Sequence, residues 1–422
     1  MSTSSTLLPP PGRRRDRAIA LLLVLVAAAL RLPRLGFPAE EVFDEVYHAR
    51  TALQYLQGES PTEWVHPPTA KLLIAVGVWL FGYKPWAWRL VPALAGIALA
   101  PVFWAFARRV LATERAAVLA SVCLMCDGVY LVQSRIAMTN IFAVLFQVTA
   151  ALFIVTAVLE EPLPVKQMLL GGLFLGLALS TRWTSLWAWG FLGLVLLVVR
   201  RVRAFRPREL ALTAVAFGAI PLLVYVLSYV PWMRQGHPLS ELWPHTRAIW
   251  RYHADLRATH PYFSKWYTWP WLYRPTWYYF NQEGDEVVRG IVAIGNPALW
   301  WVSVPITIWA LFTGARARDP RRLFSGLGYC FLYLPWGISP RTLNYSHYLF
   351  EAIPYACLSL GMLLDLHWDG RRRSLFRGYV VLLVAMFVFF LPFLLAIPVP
   401  APWYYLDIWR GVRPWTWFPT WV

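Results

Sequence analysis

Charge is scarce in this 422-residue chain. Asp, Glu, Lys and Arg make up 14% of it, where a soluble domain carries roughly a quarter. With 58% hydrophobic residues and a mean hydropathy of +0.48, there is no room for a large soluble domain. Cysteine is scarce as well. Cys123, Cys126, Cys330 and Cys357 all fall inside apolar runs, so no disulfide framework is implied. Cys123 and Cys126 have the spacing of half a zinc site, but a second pair is missing. They read as small packing residues on a membrane helix. No internal repeat is evident, which weakens a transporter built on inverted repeats.

Acidic residues are the scarcest charge, 22 against 39 Lys and Arg, for a net charge of +17. Such an excess suggests nucleic acid, but its distribution argues against that partner. The arginines bunch in short loops between apolar runs: 13–17, 108–115, 200–208, 316–322 and 371–377. This is the positive-inside pattern of a polytopic membrane protein, reinforced by anionic lipid. The Ser/Thr/Pro-rich start is expected to be disordered as part of a cytoplasmic N-terminus, residues 1–17. Residues 18–32 form a first helix without a small-residue cleavage site, hence an anchor.

Residues 71–82, KLLIAVGVWLFG, decide the topology. The run is too short to span and fits an interfacial helix. Counting it as a span would put the 108–115 loop outside and invert every later loop. The remaining spans fall near 88–108, 116–132, 138–159, 168–181, 183–199, 210–230, 291–312, 322–338, 347–366 and 377–397. The fold expected is an all-α polytopic membrane protein of about eleven transmembrane helices, N-terminus cytoplasmic and C-terminus extracytoplasmic. Its external segments are 33–87, the 133–138 corner, an aromatic loop at 231–290, the 339–346 turn and the tail 398–422.

Chemistry has few places to live outside 33–90. Asp44 and Glu45 are adjacent acids just after the first helix. Asp44 can cap a helix over 45–57, with Glu45 favouring its N-terminal dipole. It can also act as a general base whose carboxyl is raised by partial desolvation. His66-Pro67-Pro68 is a stiff turn that orients substrate or touches phosphate if held near Asp44. Arg89, Arg135, Arg274, Arg341 and His347 lie at outer helix ends and corners. They either snorkel to headgroups or converge on one lipid phosphate, which guanidinium binds bidentately. Asp127, inside a span, needs a partner, and a nearby arginine is expected.

FDEVYHA, WVHPPTAKLLIAVGVWLFGYKPWAWRLVPAL, CDGVYLVQSRIAMTNIF, IVAIGNPALWW and NYSHYLFEAIPY occur in that order along nearly the whole chain. Together they resemble the protein O-mannosyltransferases, polyprenyl-phosphate-mannose-dependent enzymes with the GT-C fold. The resemblance implies one GT-C membrane domain over 18–422 in a bacterial plasma membrane. It implies inverting transfer of mannose from a polyprenyl (dolichyl) phosphate donor to Ser or Thr of an exported protein, met near the export channel. Asp44 matches the family's catalytic acidic residue and Glu45 its partner. Asn140 stands where relatives usually carry Asp, and the soluble insert of eukaryotic members is missing.

The donor sets the chemistry. A lipid phosphate is a stable leaving group that needs positive partners, for which Arg135, Arg341 and His347 are candidates. The acceptor hydroxyl needs a base. No cofactor is obliged, and a divalent metal near Asp44 stays open. The alternatives are a GT-C transferase acting on a lipid or glycan, and a lipid or sugar transporter.

Overall fold

The structure is a computed structural model that describes residues 13–201 and 206–421. In chain order its helices are α1 (Arg13–Arg31), α2 (Glu45–Gln57), α3 (Thr69–Phe81), α4 (Pro85–Val110), α5 (Glu114–Met125), α6 (Gly128–Gln133), α7 (Asn140–Val158), α8 (Val165–Leu179) and α9 (Ser185–Arg201). There follow α10 (Pro207–Ala214), α11 (Ile220–Ser228), α12 (Val230–Arg234), α13 (Leu242–Asp255), α14 (Pro297–Ala317), α15 (Pro320–Tyr333), α16 (Ile353–His367) and α17 (Arg373–Leu394). A π turn at Val215–Ala219 joins α10 to α11. Of the segment expected to be disordered, Arg13–Arg17 open α1, and residues 1–12 lie outside the described residues.

Five helices are each long and apolar enough to cross a bilayer: Pro85–Val110, Asn140–Val158, Pro207–Ser228, Pro297–Ala317 and Arg373–Leu394. The chain is a multi-pass membrane protein. α7 sits at the centre with most of its residues buried. α10, α11 and α17 lie outside, exposing Leu210, Leu222, Leu223, Val381 and Val388, side chains that cost nothing against lipid. Gly172 brings α8 onto the π turn so closely that a Cβ would meet the Ala216 carbonyl oxygen at 2.4 Å, the close approach that small residues permit in membranes. α3 has 13 residues, roughly 20 Å at 1.5 Å each, short of the ~30 Å hydrocarbon layer. It exposes Trp79, Leu80 and Phe81, as an interfacial helix would.

Ion pairs between distant loops mark one end of the bundle. Arg108 meets Asp16 at 3.0 Å, Arg15 meets Glu114 at 2.7 Å, and Arg115 meets Asp365 at 2.5 Å. Glu209 takes both Arg200 and the Leu163 backbone N–H. The arginine-rich loops therefore gather at the end opposite Asp44.

Helices account for most of the fold, as expected. The described residues also contain a sheet that the sequence reading did not anticipate. β1 (Thr276–Glu283) pairs antiparallel with β2 (Val287–Ala293), which pairs with β3 (Val399–Pro400). The span expected from 291 therefore starts only at Pro297, capped by the Asn296 side chain. The tail is folded over the outer end. Trp421 is buried, donates to the Leu272 carbonyl at 2.6 Å and accepts from Trp277.

The positive-inside rule predicts which end faces the cytoplasm. Asp285→Cys, beside the β1–β2 turn, should react with an impermeant maleimide in intact cells. Arg371→Cys, between α16 and α17, should react only after permeabilisation. Labelling of both in intact cells, or of Arg371→Cys alone, would contradict that orientation.

Candidate active site

The site is built on a buried fork. Glu45, the first residue of α2, is fully buried. Its Oε1 accepts from Arg89 Nε at 2.8 Å and from the Ala137 N–H at 2.9 Å. Its Oε2 accepts from Arg89 Nη2 at 2.6 Å and the Val42 N–H at 3.1 Å. Arg89 spends its other hydrogens on the carbonyls of Leu35, Pro38 and Glu40. A buried pair is tolerable when it is satisfied in this way. This corrects two expectations. Neither Glu45 nor Arg89 has a group left for substrate, and both position the 35–45 loop.

Asp44 is the contrast. It holds the N-cap place of α2 with φ −74° and ψ 0°, and its side chain makes no capping bond. An N-cap residue normally sits in the β region, where its oxygen reaches the helix N–H groups; this backbone denies that reach. Among the described residues nothing donates to the Asp44 carboxylate. Burial raises its carboxyl above the ordinary aspartate value, as does nearby Glu63, while His48, Arg341 and Arg182 pull the other way. Before it stands Phe43 at φ +50°, a conformation that costs a bulky residue about 1–3 kcal/mol.

His48, one turn along α2, donates from Nδ1 to the Ala137 carbonyl at 3.0 Å, which fixes its tautomer. Its ring lies 6.2 Å from that of His66. His66 Nδ1 meets Glu63 Oε1 at 2.7 Å, and buried Lys71 pairs with Oε2 and donates to the Glu63 and His66 carbonyls. Lys71, on the first turn of α3, thus locks the His-Pro-Pro turn. Burial pushes His66 down to about 3. Burial alone would raise Glu63, but Lys71 and His66 outweigh it and hold the carboxyl well below the usual range.

His48, Glu63 and His66 bring possible ligand atoms within 4.8 Å of one another. Both Glu63 oxygens are taken, and the Lys71 ammonium already balances its charge. A divalent ion would have to displace a buried cation, so this trio does not fit a metal centre.

A cavity of about 660 Å³ opens beside His66. Arg182, Arg341 and His253 form its polar end, and Trp183, Leu186, Trp187, Trp250 and Ile338 line its apolar part. Arg182 sits at the tip of the α8–α9 hairpin. Its Nη1 donates to Asn140 Oδ1 at 2.6 Å and Thr139 Oγ1 at 3.2 Å, its Nε lies 3.5 Å from Glu351, and its guanidinium stands 5.0 Å from the Tyr348 ring. Asn140, at the position where the resemblance implies Asp in relatives, is therefore the acceptor that orients Arg182. Arg341 donates to the Leu343 carbonyl and, from Nη1 at 3.0 Å, to His253 Nδ1. His253 is fixed as the acceptor there because its Nε2–H goes to the Val65 carbonyl. Nη2 of Arg182 and of Arg341 has no partner among the described residues. Two guanidinium groups beside tryptophan and aliphatic walls suit an amphiphile with a phosphate head.

The other candidates divide. Arg341 and His66 line this cavity. His347 is buried with Nδ1 unpartnered, its ring stacked on Tyr345 at 5.4 Å and edge-on to Phe43 at 6.0 Å. Arg135, expected at the phosphate, instead donates to the Leu30, Arg31 and Arg34 carbonyls and closes the C-terminus of α1. Arg274 donates to the Pro261 carbonyl and lies outside the cavity lining. Among the described residues Asp127 pairs with no arginine; it accepts from the Tyr130 and Asn296 N–H groups and Trp300 Nε1. Sequence reasoning missed Arg182, Glu63, Lys71 and His48. For Arg182 a signal existed, a lone arginine between two apolar runs at the end poor in arginine.

Comparison with known proteins identifies the family and the fold. Residues 21–88 and 85–233 match the family described as dolichyl-phosphate-mannose-protein mannosyltransferase. Residues 238–421 match the C-terminal four-transmembrane region of protein O-mannosyltransferase. The chain is 29% identical to the polyprenol-phosphate-mannose–protein mannosyltransferase of Mycolicibacterium smegmatis, over 91% of this chain and 90% of the relative. It is 28% identical to the like-named protein of Mycobacterium tuberculosis, over 91% and 89%. Its fold resembles the Saccharomyces cerevisiae Pmt1–Pmt2 complex bound to the sugar donor, with TM-score 0.82 and 13% identity, covering 99% of this chain and 93% of that one. It also resembles ArnT from Cupriavidus metallidurans bound to undecaprenyl phosphate, with TM-score 0.56 and 19% identity, covering 90% and 70%.

Removing Arg89 leaves Glu45 buried and unpaired, a loss of about 3–5 kcal/mol. Arg89→Ala should therefore lower the thermal unfolding midpoint and the yield. Arg135→Ala should lower stability with the donor KM unchanged. A raised donor KM in Arg135→Ala protein of normal stability would return that residue to the phosphate site.

Proposed function

Because the chain belongs to the dolichyl-phosphate-mannose-protein mannosyltransferase family, we propose that it transfers mannose from polyprenyl phosphate mannose to serine or threonine hydroxyls of exported proteins. The single observation that carries the chemistry is Asp44, a half-buried carboxylate with no donor among the described residues. Its carboxylate neighbours Glu45 and Glu63 are spent. The mycobacterial relatives are named for this reaction.

Asp44 takes the proton of the acceptor hydroxyl as its oxygen bonds to the anomeric carbon. The carbon–phosphate oxygen bond breaks, and the electron pair leaves with the lipid phosphate. One displacement inverts the anomeric carbon. The phosphate needs no general acid, since Arg182 and Arg341 meet its charge. The prenyl chain lies along Trp183, Leu186, Trp187 and Trp250. With the arginine-rich loops in the cytoplasm, the acceptor arrives from outside.

Labelled polyprenyl-phosphate-mannose, supplied with membranes and a Ser/Thr peptide, tests this reading. Label in the peptide is expected; label only in lipid or glycan would move the enzyme to the neighbouring acceptor class. Asp44 works deprotonated, and its carboxyl is raised. Activity should thus be full above that raised value and fall as pH drops through it, with the acid limb above the ordinary 3.8 of aspartate. An acid limb at or below 3.8 would contradict the base. Arg182→Ala should weaken transfer by roughly 10–100-fold, the 1.5–3 kcal/mol of a charged hydrogen bond. Arg182→Lys should recover only part, lacking the planar fork. Unchanged kinetics with the donor in Arg182→Ala would remove it from the phosphate site.

A further inference from the structure

Val42 to Glu45 form a four-residue turn closed by the Glu45 N–H on the Val42 carbonyl at 3.0 Å. Its first central residue has φ +50° and its second φ −74°, ψ 0°. Turns of this pattern usually carry glycine at the first central position. Here a phenylalanine stands there, and the structure holds it from both sides. Below, Glu45 Oε2 fixes the Val42 N–H. Above, the Phe43 ring stacks on Tyr278 at 4.3 Å and 26°, and meets Tyr345, His347 and His260 edge-on at 5.6, 6.0 and 6.2 Å. Those rings come from β1, the 345–347 corner and the loop after α13.

We propose that Phe43 is a positioning residue: its ring, gripped by the outer aromatic cluster, holds the strained turn that keeps the Asp44 carboxylate off the α2 N–H groups. This rests on the reading of Asp44 as the base. A relaxed turn would let Asp44 enter the β region and cap α2, as aspartate readily does. Capped, the carboxylate would accept backbone hydrogen bonds, hold its negative charge more firmly and take up a proton less readily. The outer loop and the base are thereby coupled through one side chain. The groups facing Asp44 are His48 on its own helix, Glu63, Arg182, Arg341 and the hydroxyls of Tyr278 and Tyr345. A change at Phe43 substitutes none of them, although it removes the ring contact of Tyr278 and Tyr345.

Phe43→Ala removes the ring that holds the turn but keeps a Cβ, for which positive φ is strained, so the turn is free to relax. The expected result is a folded protein with unchanged donor KM, a kcat at least ten-fold lower, and an acid limb moved to lower pH. Phe43→Tyr keeps the ring and should restore kcat and the limb. Wild-type kcat and acid limb in Phe43→Ala would overturn the proposal. So would a lower melting temperature with kcat per folded molecule unchanged, which is what a purely structural ring gives. Asp44→Asn, assayed in parallel, separates the two ideas. If it retains turnover, the base reading fails and takes this proposal with it. If it is inactive while Phe43→Ala is normal, only the role of Phe43 is lost.

Discussion

A carboxylate is tolerated out of water when donors replace its hydration, and Glu45 meets that condition with four hydrogen bonds, two of them from Arg89. Arg89 lies on the first turns of α4, Glu45 opens α2, and Ala137 belongs to the corner before α7. One ion pair therefore ties the loop after α1 to the centre of the bundle. The turn at 42–45, the direction of α2 and the place of Asp44 depend on it. The pair is expensive to break and gives little net stability when whole. What it secures is geometry.

Around that anchor the outer end divides its polar groups between holding and acting. Lys71 with Glu63 fixes the His-Pro-Pro turn, Arg135 closes α1, and Asn140 with Glu351 orients Arg182. Most of these groups have satisfied partners, although Asn140 Nδ2 has none among the described residues. Asp44, His347 Nδ1, and one arm each of Arg182 and Arg341 remain without partners among the described residues. Arg182 and Arg341 border a cavity whose apolar walls include Trp183, Leu186 and Trp250. α13 covers the cavity, fastened by His253 to the Val65 carbonyl and to Arg341. The loop after α13 reaches the turn of the base through His260 and Phe43.

Much of this was legible in the sequence. Hydropathy and the arginine loops foretold a helical membrane bundle, and the end-to-end ion pairs gather several of those loops together. The adjacent acids were legible as a pair but not as individuals. Successive residues of a helix point about 100° apart, and nothing local says which one faces inward. Arg89 and Arg135 were read as snorkelling to headgroups or binding phosphate, because an arginine at a helix end looks alike whether it snorkels, closes a helix or binds phosphate. Arg182 was missed for the opposite reason, lying between two apolar runs that drew the eye as spans. The sheet had a signal that went unused: Glu283-Gly284-Asp285 between β-branched and aromatic runs is a hairpin pattern. Asp127 needed a partner, and only the fold could bring Asn296 and Trp300 to it.

The central claim is that two neighbouring carboxylates do different work, Glu45 holding and Asp44 reacting. It is tested most directly by matched amide replacements, Asp44→Asn and Glu45→Gln, each measured for thermal unfolding and for turnover per folded molecule. The account predicts opposite signatures. Asp44→Asn should unfold like the wild type while losing ~10²-fold or more of its turnover. Glu45→Gln should unfold at a clearly lower temperature, with turnover in the folded fraction reduced much less. Normal turnover in stable Asp44→Asn, or loss of turnover without loss of stability in Glu45→Gln, would contradict it.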